Sequence, residues 1–525
     1  MRAILGWGAL AAAALTLAVS VPAQAQDQAD APPPEATATP VPPGQIDAAV
    51  GQLDAIATGL MRRTGVPGMS IAVVHDDQLV YAKGFGVRNT RTNQPVDPNT
   101  VFELASLSKP LGATVIARVV GQRKIAWTDL VRTYLPWFKL KDPSTTRQLQ
   151  IADLYAHRSG LPDHAGDLLE DLGYTRDQIL RRLRYLPLTP IRSHYAYTNF
   201  GMTAGAVAVA RSQHTSWEAL SERMLYRPLG MRSTSSRYAD FAKAPNHADL
   251  HVDVNGTWRP LNTRDADAQS PAGGASSSAN DMAKWMRLEL SGGTFDGRRI
   301  VGAQALLDSF TPQILTLPAP PSATFRPGFY GLGMDLGVDA TARTRLSHSG
   351  AFALGGATTV WMVPSLDLGI VVLTNGYPLG LPESVAQTFL DLAEQGQVTR
   401  DWLEAYAPLF AALGENHSRL ADKRPPANAK PARATRAYVG RYAHNPFYGP
   451  ARVTAGRNRL TLHLGPGTGK AFRLTHWSGD TFAYTPPGEN SNGISAVTFS
   501  KARGRRTTQL LVENLNAEGL GSFRR

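Results

Sequence analysis

The first long amphipathic signal lies between Gln45 and Gly65, where Ile46, Val50, Leu53, Ile56, Leu60 and Met61 recur at helical spacing. The period then changes. In MSIAVVHDDQLVYAKGFG two β-rich runs, Met69–Val74 and Gln78–Gly84, flank the polar pair Asp76-Asp77, which predicts a hairpin. From Thr100 to about Ser291 the pattern is mainly helical, with helices expected over Pro110–Val120, Thr128–Tyr134, Ile151–His157 and Gly201–Arg211. Near Thr358 strands return, and ATTVWMVPSLDLGIVVLTNG reads as strand, turn, strand. Strands at both ends of such a region must find partners. The expected architecture over residues 45–413 is therefore α+β: an antiparallel sheet flanked by helices, with an inserted helical half and a cleft between the two.

Residues 414–436 are rich in Pro, Ala, Lys and Arg without an apolar period, the texture of a linker. Beyond them, over residues 437–525, short alternating runs such as RLTLHL, FRLTHW, DTFAYT, AVTFS and TQLLVEN are separated by Gly, Asn and Pro. That pattern predicts a small all-β domain.

The N-terminus refines the setting. MRAILGWGALAAAALTLAVSVPAQAQ has one basic residue, an apolar run and the small-x-small site Ala23-Gln24-Ala25, so residues 1–25 read as a secretory signal peptide and 26–44 as a Pro-rich leader. A periplasmic or secreted protein with no membrane span after cleavage is expected. There is no cysteine, which excludes disulfides, thiolate metal sites and a cysteine-linked lipid anchor. Lys and Arg number 54 against 42 Asp and Glu, giving +12, or +11 once Arg2 leaves with the signal. The excess is scattered rather than gathered on one element, so nucleic acid is not an expected partner and an anionic cell envelope is the more natural neighbour.

Candidate chemistry begins at 102-FELASLSKPLG-112. Ser106 and Lys109 are three apart at the opening of an apolar helix, where positions i and i+3 share a face. A serine hydroxyl needs a base, and a lysine made neutral by burial supplies one. Alone, the pair is equally a helix-start serine and a solvated lysine. Two further clusters follow in order: Tyr197-Thr198-Asn199 ahead of a helical pattern, and His348-Ser349-Gly350 at the opening of a strand pattern. Each member has a bland reading as core aromatic, cap or satisfied histidine.

Taken together, S-x-x-K, Y-x-N and H-x-G resemble the class C β-lactamase-related, penicillin-binding-protein-like serine hydrolases. The resemblance covers about Gln45 to Gln395 and includes 154-LYAHRSGLP-162, 226-YRPLGM-231, 271-PAGGASSSANDMAKW-285 and 330-YGLGM-334. It implies a β-lactamase-like fold, and a C-terminal domain similar to the lipocalin-like β-domain attached to some of these hydrolases. It implies Ser106 as acylated nucleophile, Lys109 as base or relay, and Tyr197 as second base, its phenolate favoured by a protonated lysine nearby. Asn199, His348, Gly350 and Ala351 would bind substrate, with the backbone N–H groups of Ser106 and Ala351 as oxyanion hole. Expected substrates are small molecules or short peptides, cell-wall fragments among them, without metal or cofactor, and the β-domain could mediate oligomers. Where K-T-G would supply a fixed cation, His348 is mostly neutral at pH 7, which disfavours strong β-lactamase activity; the resemblance implies instead esterases and peptidases, D-amino-acid-specific ones among them. The rival expectation is an envelope protein that binds, or is acylated by, peptidoglycan peptides or β-lactams with little turnover.

Two other clusters carry less. His247 and His251 lack the glutamate position of H-E-x-x-H and a helix to share, and 464-LGPGTGK-470 lacks the phosphate-loop pattern and reads as a turn.

Overall fold

In the computed structural model the two strand-rich ends of the large region meet. Gly68–His75 pairs antiparallel with Leu368–Thr374 over seven positions, Met69 opposite Thr374 through His75 opposite Leu368. Residues 38–317, 326–456, 459–491 and 493–525 are described; the expected signal peptide and most of the expected leader lie outside them.

These two strands are almost wholly buried, and their alternation explains why. Met69, Ile71 and Val73 join Ile370 and Val372 in one apolar cluster, under Leu53–Thr64 and Leu381–Gln395. Ala72, Val74, Val371 and Leu373 face the opposite cluster, shared with the helical half. A strand covered on both faces reads as a continuous apolar run, as MSIAVV and GIVVLT do. The sheet has nine strands, running from Ile314–Leu317 through Thr344–Phe352, Gly356–Val363 and the central pair to Gln78–Asn89 and Gln94–Pro95, all antiparallel. The Asp76-Asp77 turn has both residues at positive φ, 49° and 55°, the conformation that matches the twist of a two-residue hairpin.

Several boundaries differ from expectation. The segment Gln45–Gly65 is two helices, Gln45–Val50 and Leu53–Thr64, because Gly51 caps the first. Thr128–Tyr134 shrinks to Val131–Tyr134, whereas Asn199–Ser212 fulfils the expected long helix. The region expected to be mainly helical also contains a hairpin, Leu250–Val254 with Thr257–Asn262, so His251 lies on a strand.

The C-terminal domain is an eight-stranded up-and-down antiparallel sheet from Gly440–Tyr442 to Ser522–Arg524, and three of the runs singled out in the sequence lie within strands, while DTFAYT overruns its strand by one residue at each end and TQLLVEN runs on into a short turn. It nearly closes into a barrel: His444 N–H donates to Arg524 O at 3.1 Å and Thr507 Oγ1 to Ala437 O at 3.0 Å. The segment 414–436 has no helix or strand apart from the start of one short turn, but it is tied to this domain. Ser418 Oγ donates to Glu513 at 2.6 Å, and Leu420 is buried with Ala483 and Ala496.

Candidate active site

The helix that carries Lys109 spans Ser108–Gly121, and a tight turn, Ala105–Leu107, precedes it. Ser106 therefore sits one step ahead of the α-helix, presented by a strained backbone: Ala105 has φ +48°, a region that costs a β-carbon-bearing residue about 1 kcal/mol or more. Ser108 holds the turn, its hydroxyl donating to Ala105 O at 2.7 Å while accepting Ala275 N–H at 2.9 Å.

Around Ser106 Oγ the structure gathers two of the predicted residues. Tyr197 Oη is 2.5 Å away and Lys109 Nζ 2.9 Å away. Lys109 is completely buried, and its ammonium reaches two further acceptors, Asn199 Oδ1 and Ala272 O, each at 2.8 Å. Burial pulls the Lys109 amine down to about 7, against the opposing pull of the Asp167 and Asp335 carboxylates. Near neutral pH the lysine is thus divided between ammonium and free base.

Tyr197 departs from expectation. Its phenol was expected to be eased toward ionisation by a cationic neighbour; burial dominates instead and pushes it well above its ordinary value, helped by Asp167, Asp335 and Asp163 and opposed by the Ser106 hydrogen bond. The Lys109 amine lies over the ring face, 4.4 Å from its centre. In the resting site Tyr197 is a neutral phenol. Its segment is extended and pinned by Ala196 N–H to His157 O at 2.8 Å, Thr198 N–H to His157 Nδ1 at 3.1 Å and His164 N–H to Tyr197 O at 2.7 Å.

Asn199 opens the helix Asn199–Ser212 and bridges two charges, accepting from Lys109 and donating through Nδ2 to Asp167 Oδ2 at 2.8 Å. That carboxylate also takes His164 Nδ1 at 3.0 Å, which raises the imidazole above its ordinary value.

Gly350 meets the serine turn edge-on. A β-carbon there would stand 2.4 Å from Leu104 O and 2.8 Å from Ser106 N, and Thr358, its cross-strand partner, donates to Leu104 O at 2.8 Å. Pairing with the strand Asp335–Val338 stops at Ser347, so on that side residues 348–352 have no strand partner among the described residues, while their other edge pairs with Gly356–Val363. Ser349, Gly350 and Ala351 line the cleft.

His348 does not line it. The ring is buried under the site, and both nitrogens are engaged by protein. Its Nδ1 lies 2.7 Å from the Ser349 carbonyl, which only accepts, so Nδ1 carries the proton and Nε2 accepts the Tyr330 hydroxyl at 3.0 Å. Burial, aided by Lys109, holds the ring down at about 3, permanently neutral. A chain of rings, His348, Tyr330, His157 and Tyr197, with centre distances of 6.0, 4.9 and 4.7 Å, joins it to the side chain beside Ser106. His348, expected to bind substrate, instead supports the site through Tyr330.

Sequence reasoning missed Asp167, Asp335 and the Ala272 carbonyl as site residues. The quoted phrases held part of the signal: LYAHRSGLP supplies His157, PAGG supplies Ala272, and YGLGM supplies Tyr330 and Gly333, whose close approach to Lys109 O leaves no room for a side chain. His247 and His251 make separate protein contacts, His247 to Ala244 O and His251 to Asn375 O. Among the described residues no cluster of three or more potential metal ligands forms.

The cleft above Ser106 is a cavity of about 1030 Å³, and the β-domain forms one of its walls through Tyr448, Glu489, Asn490 and Glu518. The Pro486–Ser491 loop is clamped there. Asp171 accepts Glu489 N–H, Asn490 N–H and Asn490 Nδ2, each at 3.0 Å, and the Glu489 carboxylate accepts Ala353 N–H at 2.5 Å and Leu354 N–H at 3.2 Å.

Residues 53–395 match the family described as Beta-lactamase, and residues 424–518 match a domain of unknown function, DUF3471. An unguisins hydrolase from Aspergillus violaceofuscus is 26% identical over 457 residues, covering 80% of each chain. Esterase EstB of Burkholderia gladioli is 28% identical over 204 residues, 36% of this chain and 52% of the esterase. Among solved structures, the octameric penicillin-binding protein homologue from Pyrococcus abyssi superposes with a TM-score of 0.57 at 19% identity, covering 88% of this chain and 98% of its own. A class C β-lactamase from Rhodobacter sphaeroides gives 0.54 at 20%, covering 65% and 98%.

Proposed function

Because the chain belongs to the β-lactamase family of serine hydrolases, we propose that it is an exported hydrolase that forms an acyl-enzyme on Ser106 and cleaves esters, amides or short peptides. The observation that carries this reading is the position of Ser106 Oγ between Tyr197 Oη and Lys109 Nζ.

The proton path follows from the two side chains' states. Neutral Lys109 takes the Ser106 proton as Oγ attacks the carbonyl carbon, and the backbone N–H groups of Ser106 and Ala351 hold the oxyanion. Tyr197 gives its proton to the leaving group. The phenolate left behind then stands beside the newly formed Lys109 ammonium, the one stage at which its charge is compensated. In deacylation the phenolate takes a proton from water, the hydroxide attacks the acyl carbon, and Lys109 returns its proton to the departing Ser106 oxygen. Asn199 keeps Lys109 aimed, and Gly350 admits the acyl group against the strand edge.

Substrate choice follows from the walls. Asp163, Asp167, Glu489, Glu513 and Glu518 line the cavity, and Arg264, already paired with Glu170, is the arginine among its lining residues. An acidic, half-covered cleft favours short neutral or cationic substrates and disfavours the carboxylate of β-lactams. Export rests on the leader 1-MRAILGWGALAAAALTLAVSVPAQA-25.

Intact-mass measurement after a fluorophosphonate probe tests the mechanism. One adduct is expected on the wild type and none on Ser106→Ala; no wild-type adduct, or equal labelling of the variant, would sink it. Turnover of an ester and D-peptide panel then separates a hydrolase from a slowly deacylating binder.

A further inference from the structure

A second cavity, of about 370 Å³, lies on the β-domain and shares no lining residue with the first. Three of its side chains form one cross-strand row: Arg441 opposite Arg452, and Arg452 opposite His463. Their strand neighbours Tyr442, Ala451, Val453, Leu462 and Leu464 are all buried, so the row projects outward. Two guanidinium groups directly opposite each other destabilise a sheet unless something of opposite charge lies between them. Among the described residues neither has a carboxylate partner. Arg452 donates to His463 Nδ1 at 3.4 Å, and His463 Nε2 meets Thr454 Oγ1 at 2.9 Å.

The row runs into the turn 465-GPGTG-469, which forms the rest of the wall. Gly465, Gly467 and Gly469 have φ of +102°, +63° and +73°, alternating with Pro466 and Thr468 at negative φ. Pro466 has no N–H and the Gly469 N–H is spent on Pro466 O at 3.0 Å, so the backbone donors the turn can offer beside the row are those of Gly465, Gly467 and Thr468. The turn is anchored, with Gly465 against Leu172 O and the Lys470 amine donating to Asp171 O at 2.7 Å. Charge across the domain points the same way. Residues 437–525 contain twelve Lys and Arg against four Asp and Glu; three of those acids, Glu489, Glu513 and Glu518, line the active-site cavity, and the fourth, Asp480, pairs with Arg433. The face that carries the row is left basic.

We infer that Arg441, Arg452, His463 and the 465–469 turn form a binding site for a phosphate group, borne either by a small soluble molecule or by a lipid headgroup. Two guanidinium forks match the oxygen spacing of a phosphate, His463 braces Arg452, and backbone donors of the turn add to the set. The cavity leaves room for the molecule that carries the group. This site is independent of the reaction at Ser106.

Calorimetric titration of the full chain with inorganic phosphate tests the site, alongside co-sedimentation with phosphatidylglycerol vesicles. Saturable phosphate binding, weakened at least about tenfold in the double variant Arg441→Gln/Arg452→Gln, is expected. Sedimentation that the same variant abolishes places the phosphate on a lipid; phosphate binding without sedimentation places it on a soluble molecule. Both arginines are exposed, so the variant should keep its fold, its Ser106 labelling and its ester turnover. The site is refuted if the wild type binds neither probe, or if the double variant binds as the wild type does.

Discussion

The phenol oxygen of Tyr197 lies 2.5 Å from Ser106 Oγ, nearer than the Lys109 amine, yet the phenol is the group that burial keeps protonated. Proximity and basicity are therefore divided between two side chains. Tyr197→Phe should leave folding intact and lower kcat by about 10²- to 10⁴-fold, the range for a lost general acid–base group. Covalent labelling of Ser106 should slow less than turnover does, because Lys109 still accepts the serine proton. Labelling and turnover falling by the same factor would instead make Tyr197 the base.

Lys109 sets the pH dependence. It must be neutral to act, and burial places its amine at about 7. Acylation, read as kcat/KM, should thus rise tenfold per pH unit below about pH 7 and level above it. His348, held at about 3, should contribute no limb between pH 5 and 9. A profile already flat at pH 5 would remove Lys109 from the base role.

Asp167 tunes that limb. Its carboxylate raises the lysine and fixes Asn199 by accepting Nδ2 at 2.8 Å. Asp167→Asn removes the charge, so the amine loses one of the two carboxylates that favour its ammonium form. The acid limb of kcat/KM should move to lower pH, and kcat should fall as Asn199 loses its anchor. A limb that moves upward, or stays in place, would show that Asp167 acts only through packing.

Gly350 admits no side chain. A β-carbon 2.4 Å from Leu104 O and 2.8 Å from Ser106 N must push the strand off the serine turn. Gly350→Ala should abolish Ser106 labelling and cost about 1–3 kcal/mol of stability, read as a fall of several degrees in Tm. Retained labelling at wild-type rate would mean that the strand edge has no part in the oxyanion hole.

Much of this was legible in the sequence because the groups that react are held by local spacing. Ser106 and Lys109 meet across one turn, and Tyr197 and Asn199 flank a helix start. What supports them was not. Asp167 lies in DHAGDLLED, which reads as a solvated acidic helix start, and only tertiary packing buries it beside Asn199. His348 is the instructive case. In RLSHSGAF the buried positions are Leu346, His348, Gly350 and Phe352, and Leu346 and Phe352 already mark that parity as the inner face. Strand alternation alone could have turned the imidazole away from substrate. The role of residues 414–436 was hidden for the opposite reason: Leu420 is the single buried apolar anchor in a polar stretch, too little to leave a period.

Asp171 holds a β-domain loop in the wall of the cleft. Its two carboxylate oxygens accept three N–H groups from Glu489 and Asn490, and a β-carbon on Gly488 would overlap them, so this side chain seats the loop together with the Glu489 clamp on Ala353 and Leu354. Burial opposes the charge of Asp171, and the loop's donors offset that cost. Asp171→Ala leaves those donors without acceptors and should release the Pro486–Ser491 wall while leaving Ser106, Lys109 and Tyr197 in place. Labelling by a small fluorophosphonate should then proceed at the wild-type rate, whereas kcat/KM for longer peptides should rise relative to short esters. Asp171→Asn, which keeps one acceptor oxygen, should fall between the two. An unchanged ratio of long to short substrates in Asp171→Ala would mean that the β-domain wall does not limit substrate length.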